Sequence, residues 1–291
     1  MAVIPSLFDQ GLIRRRRNRA AHRVAELDFL NQRAADDLCE RLSLINREFC
    51  SALDLGAQSG TVGRALRASG FAGELVSLES AERLCRTLQG PAVNGDADAL
   101  PFANGCFDLV LSGLWLHLEN DLPGALIQIR RTLKPDGLLL ASLLAGDTLI
   151  ELKTAFAAAE AETAQGASPH VAPFPELRDL GQLLQRAGFA LPVADLETLT
   201  LTYRSPFELM AELRKSGFSN ALSARSRRPV TQRTLGRMAE IYAERFSNPD
   251  SRVRATVEIA TLHGFVPHES QQKPLKPGSA KMPLADALKG K

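Results

Sequence analysis

The chain is poor in cysteine, and its four residues (Cys39, Cys50, Cys85, Cys106) are far apart, with no Cys-x-x-Cys pair. That argues against a zinc framework or a disulfide-stapled scaffold and fits a reducing compartment. A charge excess is also missing. A net charge of +2 over 291 residues does not imply a nucleic-acid partner. No apolar run reaches transmembrane length. The longest, Gly137 to Gly146, is about half a membrane span and suits a buried strand. No apolar segment precedes the arginines Arg14 to Arg17, so no secretory signal is read there. No internal repeat is visible, and no His-x-Asp or His-x-Glu pair announces a non-haem iron site; no metal site is expected. With 45% hydrophobic and 23% charged residues, the chain reads as an ordinary soluble globular protein, long enough for one large core and a small annex.

The patterning present is that of an α/β protein. Asp28 to Leu44 carries apolar residues at helical spacing (Phe29, Leu30, Ala34, Leu38, Leu42). Strands are expected at Ser51 to Leu55, Glu74 to Glu79, Ala92 to Asn94, Phe107 to Ser112 and Leu138 to Leu144. Helices between them run from Thr61 to Ala68, from a Ser80 cap to before Gly90, and from Asp121-Pro123 to Leu133. Lys134-Pro135-Asp136-Gly137 reads as a turn. Such alternation means right-handed crossovers and a mostly parallel sheet. In the second half, helices are expected at Thr148 to Thr163 and Leu177 to Ala187, with a proline-bounded loop at Ser168 to Pro175 between them. Thr198 to Tyr203 is a half-exposed strand, Phe207 to Tyr242 is helical in pieces, and Arg254 to Val266 is a last strand. The fold class is a doubly wound, mostly parallel seven-stranded Rossmann-like sheet. The expected division is an N-terminal helical extension (1–48), a main domain (49–267) with helical insertions (about 145–187 and 206–250), and a loosely held tail (268–291). The run Arg14 to Arg17 is read as a solvated basic helix face.

The chemistry concentrates where the first strand ends, in Leu53-Asp54-Leu55-Gly56-Ala57-Gln58-Ser59-Gly60. Gly56 permits a sharp turn, and Gly60 lets the next helix aim its N-terminal N–H groups at a ligand. Asp54 can hold the loop or accept from a ligand amine. Glu79, twenty-five residues after Asp54, is placed to accept from two ribose hydroxyls, and Asp96, with Ala97, to accept from an adenine amine. The simpler alternative is a tight strand–helix turn with solvated acids. After the fourth strand, His117 is a base or substrate-orienting residue, or else a structural histidine. His170, in the proline-bounded loop, covers the pocket or is simply exposed.

This constellation resembles the class I S-adenosylmethionine-dependent methyltransferases over roughly Cys50 to Leu144, including Asp108 and Pro101-Phe102. The resemblance implies S-adenosylmethionine as cofactor, held by Asp54, Gly56, Gln58, Gly60, Glu79, Asp96, Ala97 and Ser112. The chain departs from the family at Gln58, where the family has the central glycine of Gly-x-Gly-x-Gly. That side chain either swings away or fills part of the pocket.

A narrower likeness spans almost the whole chain: Phe8-Asp9, Asn120 to Pro123, Gly146 to Leu149, Ser168 to Phe174, Arg186 to Phe189, Phe207 to Met210, Ser219-Asn220, His268 to Gln271 and Gly278 to Ala280. In their common order these segments resemble the methyltransferase-like assembly factors of respiratory complex I. That resemblance implies an enzyme acting on a complex I subunit by arginine hydroxylation or methyl transfer. The match begins by Phe8, which implies a bacterial cytoplasmic relative without a presequence, or the mitochondrial matrix in a eukaryote. It also implies a protein partner and peripheral contact with an anionic membrane through the basic segment. Two other readings stay open: an acyl-carrier-protein O-methyltransferase like that of biotin synthesis, and a non-catalytic assembly chaperone with a degenerate pocket.

Overall fold

The computed structural model describes residues 6–23, 28–163 and 166–271. Its sheet consists of β1 (Ser51–Leu55), β2 (Glu74–Glu79), β3 (Ala92–Asn94), β4 (Phe107–Gly113), β5 (Leu133–Ala145), β6 (Ala190–Tyr203) and β7 (Val253–Phe265), in the order β3-β2-β1-β4-β5-β7-β6. Strands β1 to β5 pair in parallel, and β7 runs antiparallel to both β5 and β6. The helices are α1 (Gln10–Ala20), α2 (Phe29–Ser43), α3 (Thr61–Ala68), α4 (Glu82–Cys85), α5 (Leu122–Thr132), α6 (Ile150–Thr163), α7 (Leu177–Arg186), α8 (Pro206–Lys215) and α9 (Gln232–Phe246). This is the doubly wound α/β architecture expected from the alternation of strands and helices. No described helix is long and apolar enough to cross a membrane.

The central strands are apolar on both faces because both faces are covered. Leu53, Leu55, Val110 and Leu139 pack under α5 and α7 through Leu126, Ile129, Leu180 and Leu184. The alternate residues Ala52, Leu109, Leu111 and Leu138 face α2 and α3 through Ala35, Leu38, Val62 and Leu66. A separate cluster built on Phe156, Leu209, Met238 and Tyr242 ties α6, α8 and α9 to the Tyr203 and Val253 ends of β6 and β7. The chain reverses its direction of strand addition between β1 and β4, so their carboxyl ends open a crevice.

Four local expectations need correction. Lys134 to Gly137 is not a turn between elements but a bulge within β5. Pro135 has no N–H to donate, Asp136 takes a left-handed φ of 63°, and the register with β4 shifts between Phe107 and Leu109. Strand β6 begins at Ala190 rather than Thr198. Pro192 is tolerated because it lies on an edge strand at a register shift between Ala190 and Val193. The helix after β2 is a single turn, α4, whose N-cap is Ala81 rather than Ser80. Finally, Arg14 to Arg17 is not wholly solvated, since Arg17 is 2% exposed. Of the expected tail, residues 272–291 lie outside the described residues, and so does the Gly278 to Ala280 match.

Candidate cofactor site

The loop after β1 makes two left-handed turns, at Gly56 (φ 68°) and Gly60 (φ 79°), and Gln58 between them is left-handed too, at φ 53°. A side chain in that region costs about 1–2 kcal/mol, which is the physical reason a glycine suits the position. Gln58 offsets the strain with hydrogen bonds. Its Nε2 donates to the carbonyls of Gly113 (2.7 Å) and Leu114 (3.2 Å) and to Asn31 Oδ1 (3.2 Å), and Oε1 accepts from Asn31 Nδ2 (3.3 Å). At 3% exposure the side chain has not swung away; it fills the space between the loop and the end of β4. The start of α2 grips the same loop. Asp28 accepts from Ser59 Oγ (2.6 Å) and from Thr61, so its carboxylate serves the loop instead of capping α2.

Glu79, at the carboxyl end of β2, is fully buried. Its Oε1 accepts from Arg17 Nη1 (2.6 Å) and the Ala81 N–H (2.7 Å). Its Oε2 accepts from Arg17 Nη2 (3.0 Å) and the Gln58 N–H (2.8 Å). Asp96, half-buried after β3, meets Arg14 at 3.5 Å. Arg14 and Arg17 are three apart and share one face of α1. A single helix therefore reaches both acids, and the two lie on the same side of the molecule.

Trp115 follows β4 and is buried. The Arg17 guanidinium stands 4.2 Å from its ring centroid, and its Nε1 donates to Glu119 at 2.8 Å. A β-carbon at Gly56 would overlap the indole, so the closest backbone approach in the loop is taken by Trp115 itself. Asp54, beneath the loop, accepts from the Gly63 N–H at 3.2 Å through Oδ2, while Oδ1 has no partner. Burial, with the Glu79 charge adding to it, pushes this carboxyl up to about 7. Ser112 is also buried, but its hydroxyl donates to the Leu55 carbonyl (2.9 Å) and joins β4 to β1. Ala97 is buried beside Asp96.

In this conformation these residues do not fit a nucleoside. Glu79, the acid expected to take the sugar, is saturated, the Gly56 face is covered, and Gln58 closes the gap to β4. Sequence reasoning missed Arg17, Asn31 and Glu119 as parts of the site. The available signal was the helical spacing of Ile13, Arg17 and Ala20, which puts one arginine of the run on the buried face.

The two histidines are not at the cradle's centre. His117 is buried in a short 3-10 turn (Leu116–Leu118), accepts weakly from the Leu144 N–H at 3.3 Å through Nδ1, and faces Phe174. His170 stacks on Phe156 (4.0 Å between ring centroids) and meets Glu160 at 2.7 Å, so it joins its loop to α6 rather than to the glycine loop. Among the described residues no three of His, Cys, Asp and Glu converge as metal ligands.

Burial alone pushes His117 down from 6.5 to about 3. The unfolded chain takes this proton near 6.5 and the folded chain only near 3. The stability tied to neutral His117 is thus complete above 6.5 and is lost as pH falls through that window. Half-buried Glu119, pushed up from 4.5 to about 7 mainly by burial, acts in the opposite sense. Its contribution is complete below 4.5 and fades as pH rises through about 7. In urea unfolding, His117→Gln is expected to flatten the loss of stability between about pH 6.5 and 5. An unchanged acid limb would show that His117 is not held neutral.

The family model for the methyltransferase domain matches residues 25–192. The mitochondrial arginine-hydroxylase NDUFAF5 of Homo sapiens is 37% identical over 283 residues, covering 94% of this chain and 81% of the relative. That of Danio rerio is 35% identical, covering 98% and 90%. The malonyl-[acyl-carrier protein] O-methyltransferase of Halorhodospira halophila is 34% identical, covering 89% of this chain and 88% of the relative. Among solved structures, the YcgJ protein from Bacillus subtilis matches with a TM-score of 0.56 at 13% identity, covering 79% of this chain and 98% of that one, a likeness of fold alone.

Proposed function

The chain belongs to the methyltransferase-domain family, and from that premise we propose that it is an S-adenosylmethionine-dependent enzyme that modifies a protein subunit of respiratory complex I during assembly. The carrying observation is the end-to-end similarity to the arginine-hydroxylase relatives, which extends through the annex as well as the sheet. The position of the cradle in the sheet, rather than its closed conformation, supports cofactor use. A glycine turn lies at the switch point of the sheet, and two acids from successive strands face one side. An arginine of a complex I subunit is the proposed acceptor.

The test uses membranes from cells lacking the chain, incubated with the purified protein and S-adenosylmethionine. Mass spectrometry of the complex I subunits is expected to find an arginine carrying one methyl, taken from the sulfonium with S-adenosylhomocysteine released, or, in a parallel incubation with added dioxygen and a reductant, one oxygen, the other oxygen atom leaving as water. Unmodified subunits together with a methyl ester on malonyl-acyl carrier protein would replace this reading with the one suggested by the O-methyltransferase relatives. Neither product, with the subunit retained on the protein, would favour the non-catalytic assembly role.

A further inference from the structure

We propose that α1 is a displaceable plug on the cofactor cradle, and that Arg17 and the sugar of a nucleoside cofactor compete for the Glu79 carboxylate. This rests on the reading that the cradle takes S-adenosylmethionine.

An ionised carboxylate offers about four acceptor positions. At Glu79 all four are used, two by Arg17 and one each by the Gln58 and Ala81 N–H groups. Sugar hydroxyls can be accepted only when a donor leaves. The Gln58 and Ala81 amides belong to the backbone that builds the site. Arg17 arrives on a separate helix, so it is the donor that can leave. The same helix also places Arg14 on Asp96, so one element covers both acids that a nucleoside would address. The Arg17 guanidinium lies over the Trp115 ring, whose edge covers Gly56. Beneath this closed arrangement, the fully buried Asp54 Oδ1 has no donor.

The plug is held in a way that permits release. Within α1 the buried residues are Ile13, Arg17 and Ala20, and its apolar anchorage is two small clusters, Ile13 and Leu12 with Phe8, Trp115 and Leu222, and Ala20 with Ala81 and Leu84. Most of its other ties are polar and exchange readily with water: Gln10 to the Leu118 carbonyl, Arg16 to the carbonyls of Ser219 and Asn220, and Asn18 to the Arg83 N–H. Burial, and then the like charges of Arg225, Arg19 and Arg15 against the opposing charge of Asp9, hold the Arg16 guanidinium below its ordinary value. Where the competent form is a minor fraction, apparent affinity falls by that fraction, and removing the competitor restores it.

The experiment titrates S-adenosylhomocysteine into the full chain and into Arg17→Met by calorimetry. Wild-type binding is also followed by stopped-flow fluorescence of Trp115, the single tryptophan. Arg17→Met is expected to bind at least about tenfold more tightly. The wild-type rate is expected to level off with ligand concentration at the rate of α1 release, a readout that needs no variant to fold. Equal or weaker binding by Arg17→Met, or a wild-type rate that rises linearly without a plateau, overturns the competition while leaving the cofactor reading intact. No binding by either protein overturns both.

Discussion

Glu79→Ala is expected to lower stability by about 3–5 kcal/mol, a fall in the unfolding midpoint on the order of 10 °C. The substitution removes the counter-charge of a guanidinium that is 2% exposed and strands the Gln58 and Ala81 N–H groups. A surface pair would cost less than about 1 kcal/mol, so the magnitude separates a buried clasp from an ornament. The double variant Arg17→Met with Glu79→Gln is expected to recover most of the loss. An uncharged pair of similar size needs no desolvation of ions, and buried ion pairs contribute little beyond satisfying each other. Thermal or urea unfolding of Arg17→Met, Glu79→Gln and their double variant closes the cycle. Additive losses, or a Glu79→Ala cost within about 1 kcal/mol, would show that Arg17 and Glu79 do not meet in solution.

Gly56→Ala is expected to destabilise by a comparable amount, about 3–5 kcal/mol. The residue sits at φ 68°, where an alanine already costs about 1–2 kcal/mol. Its β-carbon would also stand 2.6 Å from Trp115 Cβ and overlap the ring beyond it. The indole must move, and with it go its packing, its bond to Glu119 and its contact with Arg17. Gly70 provides the control, since it has φ 95° with nothing within 4 Å of the added carbon. Gly70→Ala is therefore expected to show the backbone cost alone, about 1–2 kcal/mol. Similar losses at the two positions, or unchanged Trp115 emission in Gly56→Ala, would mean that the indole does not lie on the loop.

Most of the sheet was legible in the sequence because its signals are local. Ser51 to Leu55 and Glu74 to Glu79 are short apolar strands bounded by glycine or acid, and α3 begins right after Gly60. The misjudged stretches depend on neighbours. Lys134 to Gly137 reads as a turn, and β6 as starting only at Thr198, until the bulge around Pro135 and the sheet edge at Pro192 are seen. The three acids of the site were visible by spacing, but their partners were not. Periodicity can place Arg17 on the inward face of α1, yet nothing local says that this face lies over Glu79, sixty-two positions on. Gln58 was recognised as a departure from the glycine pattern. Whether its amide would leave the cradle or close it depended on the Gly113 and Leu114 carbonyls and on Asn31, all distant in sequence.

The most direct measurement is a crystal structure of the protein grown with S-adenosylhomocysteine. The ligand's ribose hydroxyls should be found on Glu79, with the Arg17 guanidinium drawn off both the carboxylate and the Trp115 ring. A bound ligand alongside an intact Arg17–Glu79 clasp would contradict the exchange at the centre of this account.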